Sequence, residues 1–298
     1  MNITMAKHHG MCFGVRDALR ATHHIAKSKP VTVLGQLVHN PEVDRHLRAL
    51  GAMNCDLADI ESSKTADVVI TAHGASDRQR HEWRSAGFKL TDTTCPLVRK
   101  AHDALALLVA DNFFPVVIGQ ASHVEVRGLT GDFPNAVVAL SEDEIAAIPF
   151  HPKIGVISQT TQPLEIVLHL VGHLKRKHPR AEVRFIDTVC HPTKQRQDAL
   201  DELCRENELI LVIGGRNSNN TRQLVEKARR LGRDAIQIES AADLKPGWFR
   251  GIRNVGITAG TSTLDETVTA VVAALRCIAA DMKSSPAHEF LRMAARLA

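Results

Sequence analysis

An internal repeat constrains this chain more than any other feature. Three segments begin at a cysteine and run on into a helical pattern: MCFGVRDALRAT from Met11, DTTCPLVRKAHDALALL from Asp92 and DTVCHPTKQRQDALDEL from Asp187. The last two share Asp-Thr-x-Cys and later Asp-Ala-Leu, at Asp103–Leu105 and Asp198–Leu200; the first carries Asp17-Ala18-Leu19 closer to its cysteine. Each segment is followed by a β-branched run ending in glycine: TVLGQLVHN, VVIGQASHVEV and LVIGGRNSNN, with Gly35, Gly119 and Gly214 in register. A third run closes each unit: VVITAHGAS, IGVISQTTQ and VGITAGTST. Cysteines, glycines and closing strands recur together at about 85 to 100 residues, the signature of a triplicated unit.

Val- and Ile-rich strands alternating with helical segments predict parallel α/β units. In such units ligand-binding groups gather at the carboxyl ends of the strands. The length of 298 residues alone would suggest about two domains. The repeat replaces that expectation with three small lobes at 13–95, 96–187 and 188–281. Residues 1–12 are expected to pack on the third lobe, and 282–298 to form an amphipathic tail helix. Lobes of this size are small for independent domains and are expected to lean on one another. A pseudo-threefold packing would bring Cys12, Cys95 and Cys190 to one centre.

Composition narrows the function. Hydrophobic residues make up 44% of the chain, ample for a core, and the net charge is only +4. Aromatics reach 4% with no Tyr, which argues against a nucleic-acid binder built on stacking faces and basic clusters. The start of the chain has no apolar core of signal-peptide length. The longest apolar stretches, Ala104–Ala110 and Val268–Leu275, fall well short of the ~20 residues of a membrane span. The expectation is a cytoplasmic protein with neither a nucleic-acid nor a membrane partner.

Six cysteines in a leaderless chain of this length read as thiols in a reducing compartment. No C-x-x-C pair is present, which excludes a zinc ribbon or thioredoxin motif. Three thiolates from three lobes suit a 4Fe–4S cluster with one open iron; zinc, or no metal at all, stay open on spacing alone. Cys55, in a link between strands, Cys204, in the helix after Cys190, and Cys277, in an apolar helical stretch, lack counterparts and are expected only to pack.

The strand ends supply His39, His73, His123, Thr160, Ser218, Asn220 and Ser262. Imidazoles, hydroxyls, an amide and helix N-termini make a cradle for phosphate or diphosphate without fixed positive charge. Glu125, two residues after His123, can pass protons as a catalytic set with His123 and Thr160 if burial raises its pKa; alternatively it only caps the next segment. Neither dinucleotide nor P-loop fingerprints occur, so reducing equivalents would come from a partner.

The ordered motifs HGMCFGVRDAL, LVHN, TAHG, DTTCPLV, SHVEV, SQTT, DTVC, RNSNN and TAGTST resemble the 4-hydroxy-3-methylbut-2-enyl diphosphate reductases over nearly the whole chain, Gly10 to Leu275. The resemblance implies a trefoil of three α/β domains around a 4Fe–4S cluster. It also implies reductive removal of an allylic hydroxyl to give isopentenyl and dimethylallyl diphosphates, with a ferredoxin- or flavodoxin-type electron donor. Position by position it implies Cys12, Cys95 and Cys190 as cluster ligands. His39, His73, His123, Ser218, Asn220 and Ser262 would hold the diphosphate, Glu125 would donate a proton, and Thr160 would join the network of the substrate hydroxyl. Val124 stands where the family often has Pro, and Asn219 where it often has Ser, so contacts at one diphosphate oxygen are expected to differ. Two alternatives stay open: a divergent paralogue acting on another allylic diphosphate, and a non-catalytic iron–sulfur or zinc redox sensor.

Overall fold

The structure is a computed structural model and describes residues 1–38 and 40–284. His39 and the expected tail beyond Ser284 lie outside the described residues. Chain order runs β1 (Asn2–Met5), α1 (Phe13–Ala26), β2 (Val31–Leu34), α2 (Pro41–Ala49), β3 (Ala52–Cys55), β4 (Asp67–Ile70), α3 (Asp77–Ser85) and β5 (Lys89–Asp92). It continues α4 (Pro96–Ala110), β6 (Phe114–Ile118), α5 (Val124–Thr130), β7 (Val137–Ala139), α6 (Glu142–Ala147), β8 (Lys153–Ser158), α7 (Leu164–Lys177) and β9 (Glu182–Phe185). The last part is α8 (His191–Glu206), β10 (Leu209–Ile213), α9 (Asn219–Arg230), β11 (Asp234–Ile238), β12 (Asn254–Ala259) and α10 (Asp265–Ser284).

These strands form three four-stranded sheets ordered β3-β2-β4-β5, β7-β6-β8-β9 and β11-β10-β12-β1. All pairings are parallel. In each sheet the first strand of the unit lies between the second and the third, and the fourth flanks the third. The third sheet takes its fourth strand from the N-terminus: Asn2 pairs with Asn254 and Met5 with Ile257. The crossover direction reverses between the first and third strands of each sheet, the place where open α/β sheets bind ligands.

The central strands β2, β6, β8, β10 and β12 are buried along nearly their whole length, as strands covered on both faces must be. The edge strands β3, β5, β7, β9 and β11 are short and half polar, so hydrophobic periodicity does not reveal them.

The chain divides into two compact units, whose described residues are 1–11 with 196–284 and 12–38 with 40–195. In the first unit, Leu209, Leu211, Ile213, Ile257 and Leu275 pack one face of the sheet, and Leu200, Leu203, Ile210, Val212 and Leu224 the other. The second unit holds the other two sheets. Val116, Ile154, Val156, Val167 and Leu174 fill one core, and Leu34, Val68, Ile70 and Trp83 another. Trp83 is fully buried and donates Nε1–H to the Leu57 carbonyl at 2.9 Å.

Within the second unit α5 meets the start of α3 at close range. A Cβ at Gly128 would lie 3.3 Å from Ala75 Cα, and one at Gly131 would lie 2.7 Å from Ser76 Cβ. The Asp132 carboxylate completes the join, accepting the N–H of Asp77 at 2.6 Å and of Arg78 at 2.9 Å. A carboxylate there satisfies orphan donors of α3 and complements its dipole.

Two cysteine expectations are corrected. Cys55 is the last residue of β3, not part of a link. Cys277 is exposed: the buried face of α10 runs through Val268, Val271, Leu275 and Ala279, and position 277 falls off that stripe. Cys204 is buried with Leu200 and Leu203, as expected of a packing residue. No helix among the described residues is long and apolar enough to cross a membrane.

Candidate active site

Each repeated cysteine follows the fourth strand of a sheet and opens a helix. Cys12 precedes α1, Cys95 precedes α4 and Cys190 precedes α8. Their carbonyls accept the first helical hydrogen bonds from Arg16 (3.0 Å), Arg99 (3.0 Å) and Lys194 (3.1 Å). Pro96 suits the first turn of α4, where an amide hydrogen would have no partner. The Cys95 N–H is tied to the Ala72 carbonyl at 3.0 Å and the Cys190 N–H to the Thr160 carbonyl at 2.9 Å, so each thiol is anchored to the turn after a third strand.

All three thiols belong to the second unit, and all are free and partly buried. Helix N-termini favour thiolate. Burial works the other way, pushing the Cys95 thiol up and the Cys190 thiol up to about 11; the negative charges of Cys12 and Glu125 add to both shifts. Cys190 Sγ also lies 3.1 Å from Thr193 Oγ1. A bound cation reverses this balance, because its charge stabilises the thiolates that burial disfavours. The closeness is also steric: a Cβ at Gly14, in the first turn of α1, would fall 2.5 Å from Cys95 Sγ. A set of three soft sulfur donors fits iron held by cysteine.

A second cluster of ligand-type groups, Asp77, His102 and Asp132, has donor atoms within 4.8 Å of one another. Its carboxylates are already committed. Asp77 is held by Arg99 at 2.6 and 3.1 Å and by Arg80 at 3.1 Å, and Asp132 takes the two α3 amides. Two guanidiniums beside it disfavour a cation.

Glu125 lies in the first turn of α5 and is 2% exposed. Its Oε1 accepts the Thr160 N–H at 2.6 Å and its Oε2 the Thr160 hydroxyl at 3.0 Å. Burial nevertheless pushes its pKa up to about 7 against those two bonds. The N-cap of α5 is His123, whose Nδ1 accepts the Glu125 N–H at 3.2 Å, so capping falls to the histidine and leaves the carboxyl for Thr160. His73 and His123 meet edge to face at 5.5 Å, and His73 Nδ1 is 3.5 Å from Thr71 Oγ1. The second unit thus brings together the three thiols, Glu125, Thr160, His73 and His123.

His39 aside, the remaining expected residues lie in the first unit. Ser218 caps α9, its hydroxyl accepting the Thr221 N–H at 3.3 Å. Asn219 and Asn220 form the first turn and are buried, and Asn220 Oδ1 accepts the Thr261 N–H at 3.1 Å, next to the buried Ser262. The Thr221 hydroxyl behind them is buried, has no hydrogen-bond partner among the described residues and faces Gly214 and Gly260.

Sequence reasoning did not single out Gln159, which is fully buried and accepts the Gln120 N–H at 3.1 Å and the Gln162 amide at 2.9 Å. It fixes the turn that carries Thr160; its only signal was its place in SQTT. Thr193, Gly14 and the Asp132–His102 pair were likewise invisible, because none recurs in the repeat.

The LytB protein family matches residues 3–276. A 4-hydroxy-3-methylbut-2-enyl diphosphate reductase of Aquifex aeolicus is 34% identical over 271 residues, 89% of this chain and 92% of that protein. One from Dehalococcoides mccartyi is 35% identical over 287 residues, covering 94% and 99%. Among solved structures, that of (E)-4-hydroxy-3-methyl-but-2-enyl diphosphate reductase, the terminal enzyme of the non-mevalonate pathway, aligns with a TM-score of 0.67 at 32% identity over 93% of this chain and 99% of that one. The E-1-hydroxy-2-methyl-but-2-enyl-4-diphosphate reductase of Plasmodium falciparum shares the fold, with a TM-score of 0.86 at 24% identity over 96% and 89%. With a family match over almost its whole length and relatives above 30% identity along most of theirs, the chain belongs to the LytB family.

Proposed function

We propose that this chain reduces (E)-4-hydroxy-3-methylbut-2-enyl diphosphate to isopentenyl and dimethylallyl diphosphates. The allylic C–O bond breaks, the hydroxyl leaves as water, and two electrons and two protons are consumed. The observation that carries the proposal is a buried carboxyl with a pKa near 7, clasped by one threonine, in the same unit as three free thiols at helix N-termini. The named reductases among the relatives support the substrate.

Cys12, Cys95 and Cys190 would hold a 4Fe–4S cluster, which when bound supplies electrons and a Lewis-acidic iron. Glu125 delivers the proton to the departing hydroxyl; with a pKa near 7 it is an acid about half loaded at neutral pH. Thr160 works as a rotor. With Glu125 ionised, its hydroxyl donates to Oε2; with Glu125 protonated, the bond reverses and the hydroxyl hydrogen is free to point at substrate. His39, His73, His123, Ser218, Asn219, Asn220 and Ser262 are assigned to the diphosphate, with hydroxyl, amide and imidazole donors in place of a lysine clamp. The lobe boundaries 13–95, 96–187 and 188–281 are part of the same proposal. The six free cysteines suit a reducing compartment such as the cytoplasm, and a ferredoxin- or flavodoxin-type protein as the electron source.

The test is anaerobic reconstitution with iron and sulfide, then turnover with a reduced viologen dye. Formation of the two C5 diphosphates supports the proposal; a fully loaded protein that leaves the substrate intact overturns it.

A further inference from the structure

The proposed reaction consumes two electrons, and the chain carries no nucleotide fingerprint to supply them, so a carrier has to deliver them at the surface. Of the three helices that open at a cysteine, α1 is the one equipped to receive it. Its buried residues Gly14, Ala18, Thr22 and Ala26 follow one another at i, i+4 along a single face. The opposite face presents Phe13, Arg16, Asp17, Arg20, His24 and Lys27, all exposed. At about 100° per residue these six fall within a strip about 120° wide and about 20 Å long. Phe13 is 44% exposed and stands at the cysteine end of the strip, one peptide bond from Cys12.

The strip is basic. Arg16, Arg20 and Lys27 outweigh Asp17, and no ion pair among the described residues uses Arg20, His24 or Lys27. On the other two helices the cation nearest the cysteine is already spent: Arg99 on Asp77 and Asp103, Lys194 on Asp187. The positive field extends sideways from α1. His23 stacks on His46 of α2 at 5.5 Å, and α2 adds exposed Arg45 and Arg48. Burial lowers the His23 pKa, and the positive charges of Lys27, His46 and His24 lower it further.

Resting on the reductase activity proposed above, we propose that this face of α1 is the docking surface for an acidic flavodoxin-type electron carrier. Carboxylates on the carrier meet the cations along the strip, which steers the encounter and sets its orientation. A flavin brings the apolar edge of a planar ring to the carrier's surface, and the Phe13 ring is the matching contact beside Cys12. Each encounter oxidises the carrier by one electron and reduces the cysteine-held centre by one. Two encounters supply the two electrons that break the C–O bond, and the protons enter separately, one of them through Glu125.

The test measures binding of oxidised flavodoxin to the reconstituted enzyme at low ionic strength, alongside turnover driven by flavodoxin and by a viologen dye. Arg20→Glu combined with Lys27→Glu should weaken binding about tenfold or more, and Asp17→Lys should tighten it about threefold. Both variants should keep their iron content and their dye-driven turnover. Phe13→Leu, which stays apolar but loses the ring, should cost about threefold in flavodoxin affinity. Raising salt from ~20 to ~200 mM should shrink the effects of the charge variants and spare that of Phe13→Leu. An acidic ferredoxin of similar net charge should bind more weakly and be indifferent to Phe13→Leu. Unchanged flavodoxin binding in the double charge reversal, shifts of the same sign in that variant and in Asp17→Lys, or a ferredoxin that binds as tightly as flavodoxin overturns the proposal. A wild-type enzyme that fails even with the dye strikes the reaction proposed above and leaves the binding measurements to decide the docking face.

Discussion

Gly14→Ala is the most direct probe of the cysteine centre. The new methyl would sit 2.5 Å from Cys95 Sγ, 2.9 Å from its Cβ and 3.7 Å from its Cα. Ordinary contact begins near 3.4 Å, so sulfur and methyl must separate by about 1 Å, roughly twice the tolerance of a ligand constellation. Rotating the thiol does not solve this, because the Cys95 Cβ is also too close; the start of α4 or of α1 has to give. Overpacking of this kind costs about 1–3 kcal/mol, partly offset by the preference of a helix for Ala over Gly. If about 1.4 kcal/mol of that strain falls on metal binding, the thiols hold iron about tenfold more weakly. The assay is iron and sulfide content after anaerobic reconstitution and desalting, with thermal melting of the unloaded protein alongside. Gly172→Ala is the control. It lies within α7, where a Cβ meets only the mobile end of Arg176 at 3.4 Å, and it should keep full iron while gaining up to about 1 kcal/mol. Equal iron content and equal melting in Gly14→Ala and wild type would refute the contact between α1 and Cys95.

Glu125→Gln should keep its iron and lose about 10²- to 10⁴-fold in kcat, read by product formation with the dye; unchanged turnover removes Glu125 from the chemistry. The same residue sets a pH dependence of stability. Its pKa in the fold, about 7, lies above the ordinary 4.5, so the folded chain holds this proton more tightly than the unfolded one. Its contribution is complete below about pH 4.5 and is lost as pH rises through 7, a change on the order of 3 kcal/mol. Urea unfolding of the unloaded protein between pH 5 and 8 should therefore show a slope that is shallower in Glu125→Gln. At the first turn of α9, Gly260→Ala drives a methyl into the Thr221 hydroxyl and should cost about 1–3 kcal/mol. Adding Thr221→Ala should recover much of that loss, and additive losses in the double-mutant cycle would contradict the packing.

The parts of the molecule legible in the sequence are those where burial and repetition coincide. β6, β8, β10 and β12 are runs of Val and Ile buried on both faces, and the turns after them carry the residues now found around Glu125 and at the start of α9. Glu125 itself was identified by type and by nearness to His123. Its partner Thr160 lies 35 residues away, and only β6 pairing with β8 brings the two turns together. Edge strands such as Lys89–Asp92 and Glu182–Phe185 alternate weakly and are one layer deep, so nothing in their composition separates them from loops. The misplacement of Cys277 has the same root. An apolar helix looks buried all round, and only the stripe through Val271 and Leu275 decides which side is wet.

The pairing of β1 shows how the repeat and the fold are offset. In the first two sheets the strand just before a cysteine, β5 or β9, is the last strand of its own sheet. By the same rule the strand before Cys12 should finish a sheet, and among the described residues the third sheet is the one without a fourth strand from its own stretch of chain. NITM is too short and too mixed to predict as a strand by itself, and its register with Asn254–Ile257 rests on that vacant edge. Each cysteine thus stands at a junction, leaving one sheet and opening the helix that leads into the next. A junction residue is held from both sides, by the strand before it and by the helical hydrogen bond its carbonyl accepts. That double restraint is what each thiol would need to serve as a ligand of the cluster proposed above.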